Sequence, residues 1–214
     1  MKKVFASLLV AVLLPFAAVA ANYEEGKQYT KVSENLSKKP EVREYFSFYC
    51  PHCLRFEPFF ATLKKKLPEN VAFERNHVDF LRAASPEIQF LVTKALVTAQ
   101  QLNVEEKVVA AIFNYIQVQR AAITEEKDVR NLFVLNGVDG EAFDKAFKSF
   151  AVNSKAKLMK KKQTELVQKR ALTGVPTVVV NGKYRINVDK LDRNNFEQDY
   201  INLVNYLVAL DSAS

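Results

Sequence analysis

The sequence has no tryptophan, and it has only two cysteines and two histidines among its 214 residues. A domain held together by disulfide bonds needs several bridges, so two cysteines argue against a structural framework. A structural zinc site needs four ligands, and this chain could offer only Cys50, Cys53, His52 and His77. The scarcity of these residues therefore favours a redox role for the cysteines over a structural disulfide or a metal site.

The two cysteines lie in the segment Cys50-Pro51-His52-Cys53, with apolar sequence on either side. Val42 to Tyr49 predicts a buried strand that runs directly into this segment. Pro51 suits the first turn of a helix, where its missing N–H costs nothing and its fixed φ is already helical. The apolar positions that follow fall at steps of two to four and predict one face of that helix: Leu54, Phe56, Phe59, Phe60 and Leu63.

A cysteine at the N-terminus of a helix has a chemical consequence. The unpaired N–H groups of the first turn favour a thiolate over a thiol, and a protonated His52 would add to the same field. We expect the peptide N–H groups to supply most of this effect. Two residues between cysteines is the redox spacing, so Cys50 is predicted to be the exposed nucleophile and Cys53 its buried partner. Haem attachment is excluded because Leu54, and not histidine, follows Cys53, whereas an inert surface pair of cysteines stays possible.

The first twenty residues predict a secretory signal peptide. A basic start is followed by an apolar run, and Ala18-Val19-Ala20 fits a small-x-small cleavage site. The apolar run is short for a membrane span, although a retained N-terminal anchor is the alternative. Cleavage after Ala20 would remove two lysines and no acidic residue, which changes the formal net charge from +7 to +5. Export would also place the cysteines where disulfides form.

The segment Phe46-Ser-Phe-Tyr-Cys-Pro-His-Cys53 resembles the active site of the DsbA family of periplasmic thiol–disulfide oxidoreductases. Three further blocks resemble the family in the same order, over nearly the whole mature chain: Asn22–Tyr29, Leu67–Phe80, and Gly174–Thr177 with Asn181–Tyr184. The resemblance implies an α/β protein with a thioredoxin-like fold and an inserted all-helical domain. It places the signal peptide at 1–20, the discontinuous thioredoxin-like domain at 21–82 and 153–214, and the helical insertion at 83–152.

The sequence pattern agrees with this organisation. Val71–Val78 predicts a second strand, parallel to the first because a helix separates the two. From Ser85 to about Ala151 the pattern predicts four helices, the third capped by Thr124 and the fourth marked by Phe143, Phe147 and Phe150. Ser154–Arg170 predicts a long basic helix, for which a solvated face is favoured over nucleic-acid binding. Asn181-Gly182 predicts the type I′ turn of a hairpin.

The resemblance also implies roles for residues outside the cysteine segment. Glu44 would be a carboxylate beneath the active-site helix that takes protons during thiol exchange, with Glu57 as a second acid. Without the resemblance, Glu44 reads as an outward-facing or edge residue. Arg75 could join both acids in a charged cluster. The bond between Val175 and Pro176 would be cis and lie beside the cysteines, leaving the Val175 backbone to pair with an extended substrate.

The function that the resemblance implies is that of a periplasmic protein-disulfide oxidase. The Cys50–Cys53 disulfide would be donated to reduced, unfolded exported proteins through a mixed disulfide at Cys50, with no other cofactor, metal or nucleic acid. A quinone-linked inner-membrane partner resembling DsbB would reoxidise the enzyme, which would be a monomer. A disulfide isomerase or reductase is the nearest alternative, disfavoured because no separate dimerisation region is visible. A periplasmic chaperone or peptide-binding module with incidental cysteines is the alternative from another class.

Overall fold

The computed structural model of the chain describes residues 23–210, and the signal peptide predicted for 1–20 lies outside them. Five strands form one sheet in the order β1-β5-β4-β2-β3. Their bounds are β1 Tyr29–Lys31, β2 Glu41–Phe46, β3 Ala72–His77, β4 Thr177–Val180 and β5 Tyr184–Ile186. β2 and β3 are parallel, as predicted, and the other neighbouring strands are antiparallel.

Seven helices accompany the sheet within the described residues. Their bounds are α1 Pro51–Lys66, α2 Pro86–Gln101, α3 Glu105–Phe113, α4 Glu126–Leu135, α5 Gly140–Phe147, α6 Phe150–Gln168 and α7 Phe196–Leu210. A π-helical turn at Asn114–Val118 continues α3, and a short 3₁₀ turn occupies Val188–Lys190. Within residues 23–210, no helix is long and apolar enough to cross a membrane.

The sheet is covered on both faces, which accounts for the apolar character of its central strands. On one face, α1 and α7 pack against Val42, Val178 and Val180. Because side chains alternate along a strand, Tyr45 and Val179 point to the opposite face, where they pack with Leu166 of α6. The site at the end of β2 is therefore supported by packed layers on either side.

A separate core forms where the helices α2 to α5 meet. Its large side chains include four phenylalanines: Phe113, Phe133, Phe143 and Phe147. Phe133 packs at a tilted angle against Phe143, and Phe143 stacks on Phe147. The same apolar cluster extends to Phe46, Phe48 and both cysteines. The four predicted helices between β3 and α6 are confirmed, and the cysteine segment lies where they meet the sheet. A thioredoxin-like sheet carrying a helical insertion is the predicted fold class, and it is confirmed.

Several element ends differ from the prediction. β2 ends at Phe46 and not at Tyr49, because a turn intervenes before α1. Phe150 does not belong to the fourth helix: Ser149 caps α6 by accepting the N–H of Val152 at 3.2 Å, so α6 begins at Phe150 and leaves its ring 87% exposed. The predicted domain boundary between 152 and 153 therefore falls inside α6, and the division into domains stays a prediction.

One turn agrees with the prediction, and one helix start differs from it by a single residue. Asn181 and Gly182 have φ of 51° and 67° between β4 and β5, the left-handed values that a type I′ turn requires. α4 is capped by Glu125 and not by Thr124, one residue later than predicted. Thr124 still contributes, because its N–H donates to the Asp128 carboxylate at 2.8 Å.

Candidate active site

Cys50 is the N-cap of α1, as the sequence predicted. Its backbone is extended, with φ −99° and ψ 114°, and Pro51 occupies the first helical turn. The N–H of Cys53 donates to Cys50 Sγ at 3.3 Å, and the N–H of Leu54 donates to the Cys50 carbonyl at 3.2 Å. No acidic residue stands in the first turn, so the electropositive end of the helix faces the sulfur without competition.

The two thiols differ in accessibility, although less than predicted. Cys50 is only 8% exposed, whereas Cys53 is fully buried, and both are free thiols in this structure. The prediction of an exposed nucleophile is wrong for the side chain as a whole. The neighbours Pro51 and His52 are exposed, so the small accessible part of Cys50 lies at the protein surface.

The environment separates the pKa values of the two thiols. The pKa of Cys50 is lowered to about 6, chiefly by a hydrogen bond from the Cys53 thiol, with smaller help from the N–H groups of Cys53 and His52 and from the charge of His52. The pKa of Cys53 is raised far above its usual range, because its thiol donates that bond and is buried. The prediction that peptide N–H groups supply most of this effect is therefore wrong, because the Cys53 thiol supplies the largest part.

The Val175–Pro176 bond is cis, which confirms the prediction, and it lies against the cysteines. The Cys50 thiol donates to the Val175 carbonyl at 3.4 Å. Thr177 Oγ1 donates to the Gly174 carbonyl at 2.8 Å and closes the loop before β4. Val175 and Pro176 are half-buried, so this segment is partly exposed beside Cys50.

Glu44 lies in the interior and not at an edge. Its side chain is fully buried, and Arg75 Nε donates to Glu44 Oε2 at 3.0 Å. The other Arg75 nitrogens donate to the two oxygens of Glu57 at 3.2 and 2.5 Å. Burial raises the pKa of Glu44 to about 7, opposed by Arg75 and assisted by the charge of Glu57. The charged cluster expected from the sequence therefore forms, with Arg75 between both acids.

His77 is buried in the apolar core that adjoins the site. Its Nδ1 lies 2.9 Å from Thr93 Oγ1, within hydrogen-bond distance, and its ring stacks on Phe48 with centroids 5.1 Å apart. Among residues 23–210, no group of three or more His, Cys, Asp and Glu side chains could hold a metal ion.

One residue of the site was not predicted from the sequence. Gln117, in the π-helical turn, donates its side-chain amide to the carbonyls of Phe48 and Cys50 at 2.7 and 3.0 Å. It stands between Ile116 and Val118 in a segment that reads as an ordinary amphipathic helix. Nothing in the local pattern distinguishes such a glutamine from a solvent-facing one, so only the tertiary structure identifies it.

Comparison with known proteins agrees with this geometry. Residues 41–200 match the family model described as a DSBA-like thioredoxin domain. The chain is 38% identical over 213 residues to the thiol:disulfide interchange protein DsbA of Escherichia coli K12, covering 97% of this chain and 98% of that protein. It is 37% identical to the DsbA of Pectobacterium carotovorum over 214 residues, covering 97% and 99%.

The similarity extends to solved structures. DsbA from Proteus mirabilis, in complex with a non-covalently bound peptide PWATCDS, superposes with a TM-score of 0.79 at 35% identity, covering 88% of this chain and all of that one. The Pseudomonas aeruginosa DsbA structure superposes with a TM-score of 0.72 at 30% identity, covering 89% and 95%.

Proposed function

The chain belongs to the DsbA family of thiol:disulfide oxidoreductases, and we propose that it oxidises reduced, unfolded exported proteins in the periplasm by donating its Cys50–Cys53 disulfide. The lowered pKa of Cys50, at the N-cap of α1, is the observation that carries this proposal. A thiolate that is stable at neutral pH is a good leaving group, so Cys50 releases a bound substrate readily. A disulfide whose reduced form is stabilised in this way is an oxidant.

The reaction starts from the oxidised enzyme. A substrate thiolate attacks Cys50 Sγ, forming a mixed disulfide, while the Cys50–Cys53 bond breaks and its electron pair leaves on Cys53. A second substrate thiolate then attacks the substrate sulfur of the mixed disulfide, and Cys50 leaves as a thiolate. Two electrons pass from the substrate to the enzyme, and the substrate gains one disulfide.

Glu44 supplies the proton for the first step. The pKa of Cys53 is raised far above neutral, so this sulfur must be protonated once it leaves. Glu44 has a pKa of about 7 and acts electrostatically on Cys53, which suits it to give up a proton at neutral pH and recover it later. Arg75 connects Glu44 to Glu57, whose side chain is 27% exposed, so the charged cluster extends from the buried Glu44 to the surface.

Val175 and Pro176 form the substrate-binding side of the site. The Val175 backbone lies beside Cys50 and is half-buried, so an extended chain can align with it by strand addition while its cysteine reaches Cys50. The Proteus mirabilis protein with its bound peptide is similar over 88% of this chain, which supports a peptide as the ligand.

The cycle requires reoxidation by a partner. Each turnover leaves two reduced cysteines, so an electron acceptor must regenerate the disulfide. We assign this step to an inner-membrane protein of the DsbB type, which passes electrons to quinone. The Cys50–Cys53 pair is then the only redox group that the enzyme itself needs, and the oxidase acts as a monomer.

A redox titration in glutathione buffers tests the proposal. The wild-type midpoint should be clearly more oxidising than the about −270 mV of thioredoxin, and a midpoint near that value would favour a reductase. In a second assay, the oxidised enzyme should transfer one disulfide to a reduced two-cysteine protein, and Cys50→Ser should transfer none. A Cys50→Ser variant that still promotes folding without thiol transfer would instead favour a chaperone.

A further inference from the structure

The π-helical turn at Asn114–Val118 places the side chain of Gln117 against the turn between β2 and α1. Gln117 Nε2 lies 2.7 Å from the Phe48 carbonyl and 3.0 Å from the Cys50 carbonyl. Both partners can only accept hydrogen bonds, so the nitrogen of the amide, and not its oxygen, faces them. The two contacts therefore orient the side chain without ambiguity and use both of its donors.

The carbonyls that Gln117 binds belong to the turn between β2 and α1. That turn is closed by the N–H of Cys50, which donates to the Ser47 carbonyl at 3.1 Å, and by Ser47 Oγ, which accepts the N–H of Tyr49 at 3.2 Å. The ladder of β2 ends at Phe46, so the Phe48 carbonyl has no strand partner. Since Phe48 is fully buried, its carbonyl depends on Gln117 for the hydrogen bond that burial requires.

The backbone of the π turn explains how Gln117 reaches this position. The N–H of Gln119 donates to the Asn114 carbonyl at 2.9 Å, a spacing of five residues. The wider turn changes the direction in which its side chains project, and such turns recur at functional sites. The segment ends at Arg120, whose φ of 55° is not helical, so the helix stops three residues after Gln117. The residue that contacts the active site therefore lies in a segment that departs from α-helical geometry.

We propose that Gln117 is a positioning residue for thiol exchange, which holds the Phe48–Cys50 turn so that Cys50 Sγ meets its two partners. One partner is the N–H of Cys53 at 3.3 Å, which stabilises the thiolate. The other is the Val175 carbonyl, which accepts from the protonated Cys50 thiol at 3.4 Å and belongs to the proposed substrate-binding segment. The helical insertion thus contributes to the reactivity of Cys50 through one side chain. This role rests on the proposed oxidase function.

Substitution of Gln117 by methionine tests the role, because methionine has nearly the same length and cannot donate. In Gln117→Met the pKa of Cys50, followed by thiolate absorbance, should rise by about 0.5 to 1 unit, the size expected for the loss of an ordinary hydrogen bond. The equilibrium constant for oxidising glutathione should fall about three- to tenfold in the same variant. Gln117→Asn, one methylene shorter, should give a smaller rise.

Gln119→Met is the matched control. Gln119 stands two residues away on the same segment and donates to Asn114 Oδ1 at 2.7 Å, but it is exposed and touches no catalytic residue. In the Gln119→Met variant, the Cys50 pKa and the equilibrium constant for oxidising glutathione should equal those of the wild type. If Gln117→Met does not fold, the comparison of Gln117→Asn with Gln119→Met decides.

The possible failures are distinguishable. A wild-type Cys50 pKa near its ordinary value, about 8.5, would overturn the proposed function itself. A low wild-type pKa that is unchanged in Gln117→Met and Gln117→Asn would overturn only the positioning role. Loss of thermal stability without any change in pKa or glutathione equilibrium would mean that Gln117 is structural alone.

Discussion

Glu44 on β2 and Arg75 on β3 are paired across the parallel ladder, and their side chains form a 3.0 Å ion pair beneath α1. The pair is not isolated, because the remaining nitrogens of Arg75 hold Glu57 of α1. One oxygen of Glu44, Oε1, has no hydrogen-bond partner, although it is buried. Burial of a carboxylate that has one oxygen without a hydrogen bond favours the protonated form, which places the pKa of Glu44 near neutrality.

Glu44→Gln should slow thiol transfer. The variant keeps the shape of the side chain but cannot exchange a proton, so the rate of substrate oxidation should fall by at least about tenfold near neutral pH. The inflection near pH 7 in the wild-type pH–rate profile should disappear with it. Stopped-flow measurement of disulfide transfer across the pH range checks both outcomes.

A nearby carboxylate provides the control for this substitution. Glu105 also raises the pKa of Glu44 through space, but its own hydrogen bond comes from Gln100 at 3.1 Å. Glu105→Gln should therefore retain the inflection and most of the rate. Equal losses in Glu44→Gln and Glu105→Gln would show that the effect is general electrostatics and not proton transfer.

The sequence was sufficient for the parts of the site that depend on local structure. The proline after Cys50 and the apolar spacing of the next residues predict the helix start, and α1 begins there. The Asn181-Gly182 turn follows equally from residue type, since few residues tolerate two successive left-handed conformations. In both cases, the physical cause lies within a few residues of the feature.

The sequence was insufficient where distant elements meet. That Arg75 contacts both acids depends on the register of β2 against β3 and on the crossing of α1, which residue spacing does not determine. The same holds for Gln117, whose partners are 67 and 69 residues away along the chain. The limited exposure of Cys50 also results from tertiary packing, because the Val175 loop and the helical core both contact it.

His77 should make the protein sensitive to acid. Thr93 Oγ1 donates to the Gln89 carbonyl at 3.0 Å, so it accepts from Nδ1 of His77, and Nε2 is a buried nitrogen without a partner. Burial lowers the pKa of His77 to about 3, against about 6.5 when unfolded. As pH falls, His77 is therefore protonated in the unfolded chain at a higher pH than in the folded chain. The stabilisation is complete above pH 6.5 and is lost as pH falls toward 3, at about 1.4 kcal/mol per pH unit.

Urea unfolding at several pH values measures this contribution. The difference in unfolding free energy between the wild type and His77→Gln should shrink as pH falls from 6.5 toward 3. Thr93→Val removes the hydrogen-bond partner but no titrating group, so its destabilisation should be nearly constant with pH. A His77→Gln penalty that does not vary with pH would mean that His77 contributes packing alone.

Tyr49 should report the redox state by fluorescence. The protein has no tryptophan, and Tyr49 directly precedes Cys50, half-buried beside it. If tyrosine emission changes on reduction, Tyr49→Phe should largely remove that change. Tyr200→Phe is the control, because Tyr200 is buried in the core formed by α1 and α7. An undiminished change in Tyr49→Phe would refute the assignment.

The Cys53 thiol should matter more than His52 for the acidity of Cys50. Its hydrogen bond is the largest cause of the lowered Cys50 pKa, whereas the charge of His52 is the smallest of those that act on it. Both Cys53→Ala and His52→Ala should raise the Cys50 pKa, the former by more. Thiolate absorbance against pH compares the two variants directly, and a larger rise in His52→Ala would reverse the ranking.

Finally, the reduced protein should be more stable than the oxidised one, by an amount that depends on pH. The Cys50 pKa is about 6 in the folded chain and about 8.5 when unfolded, so it is depressed by folding. The stabilisation by the thiolate is therefore complete above pH 8.5 and disappears as pH falls through 6. Cys53 adds nothing below pH 8, because its thiol stays protonated in both states of the reduced chain.

At pH 7 about one unit of the shift applies, which corresponds to at most about 1.4 kcal/mol, or on the order of 30 mV toward oxidising power. Urea melts of both redox forms between pH 5 and 9 test this directly. The gap in favour of the reduced form should widen as pH rises to about 8.5 and then narrow, because the unfolded chain loses the Cys53 proton there while the folded chain keeps it. An oxidised form that unfolds at higher urea throughout, or a gap that is the same at every pH, would mean that the Cys50 thiolate does not drive the oxidising power of this disulfide.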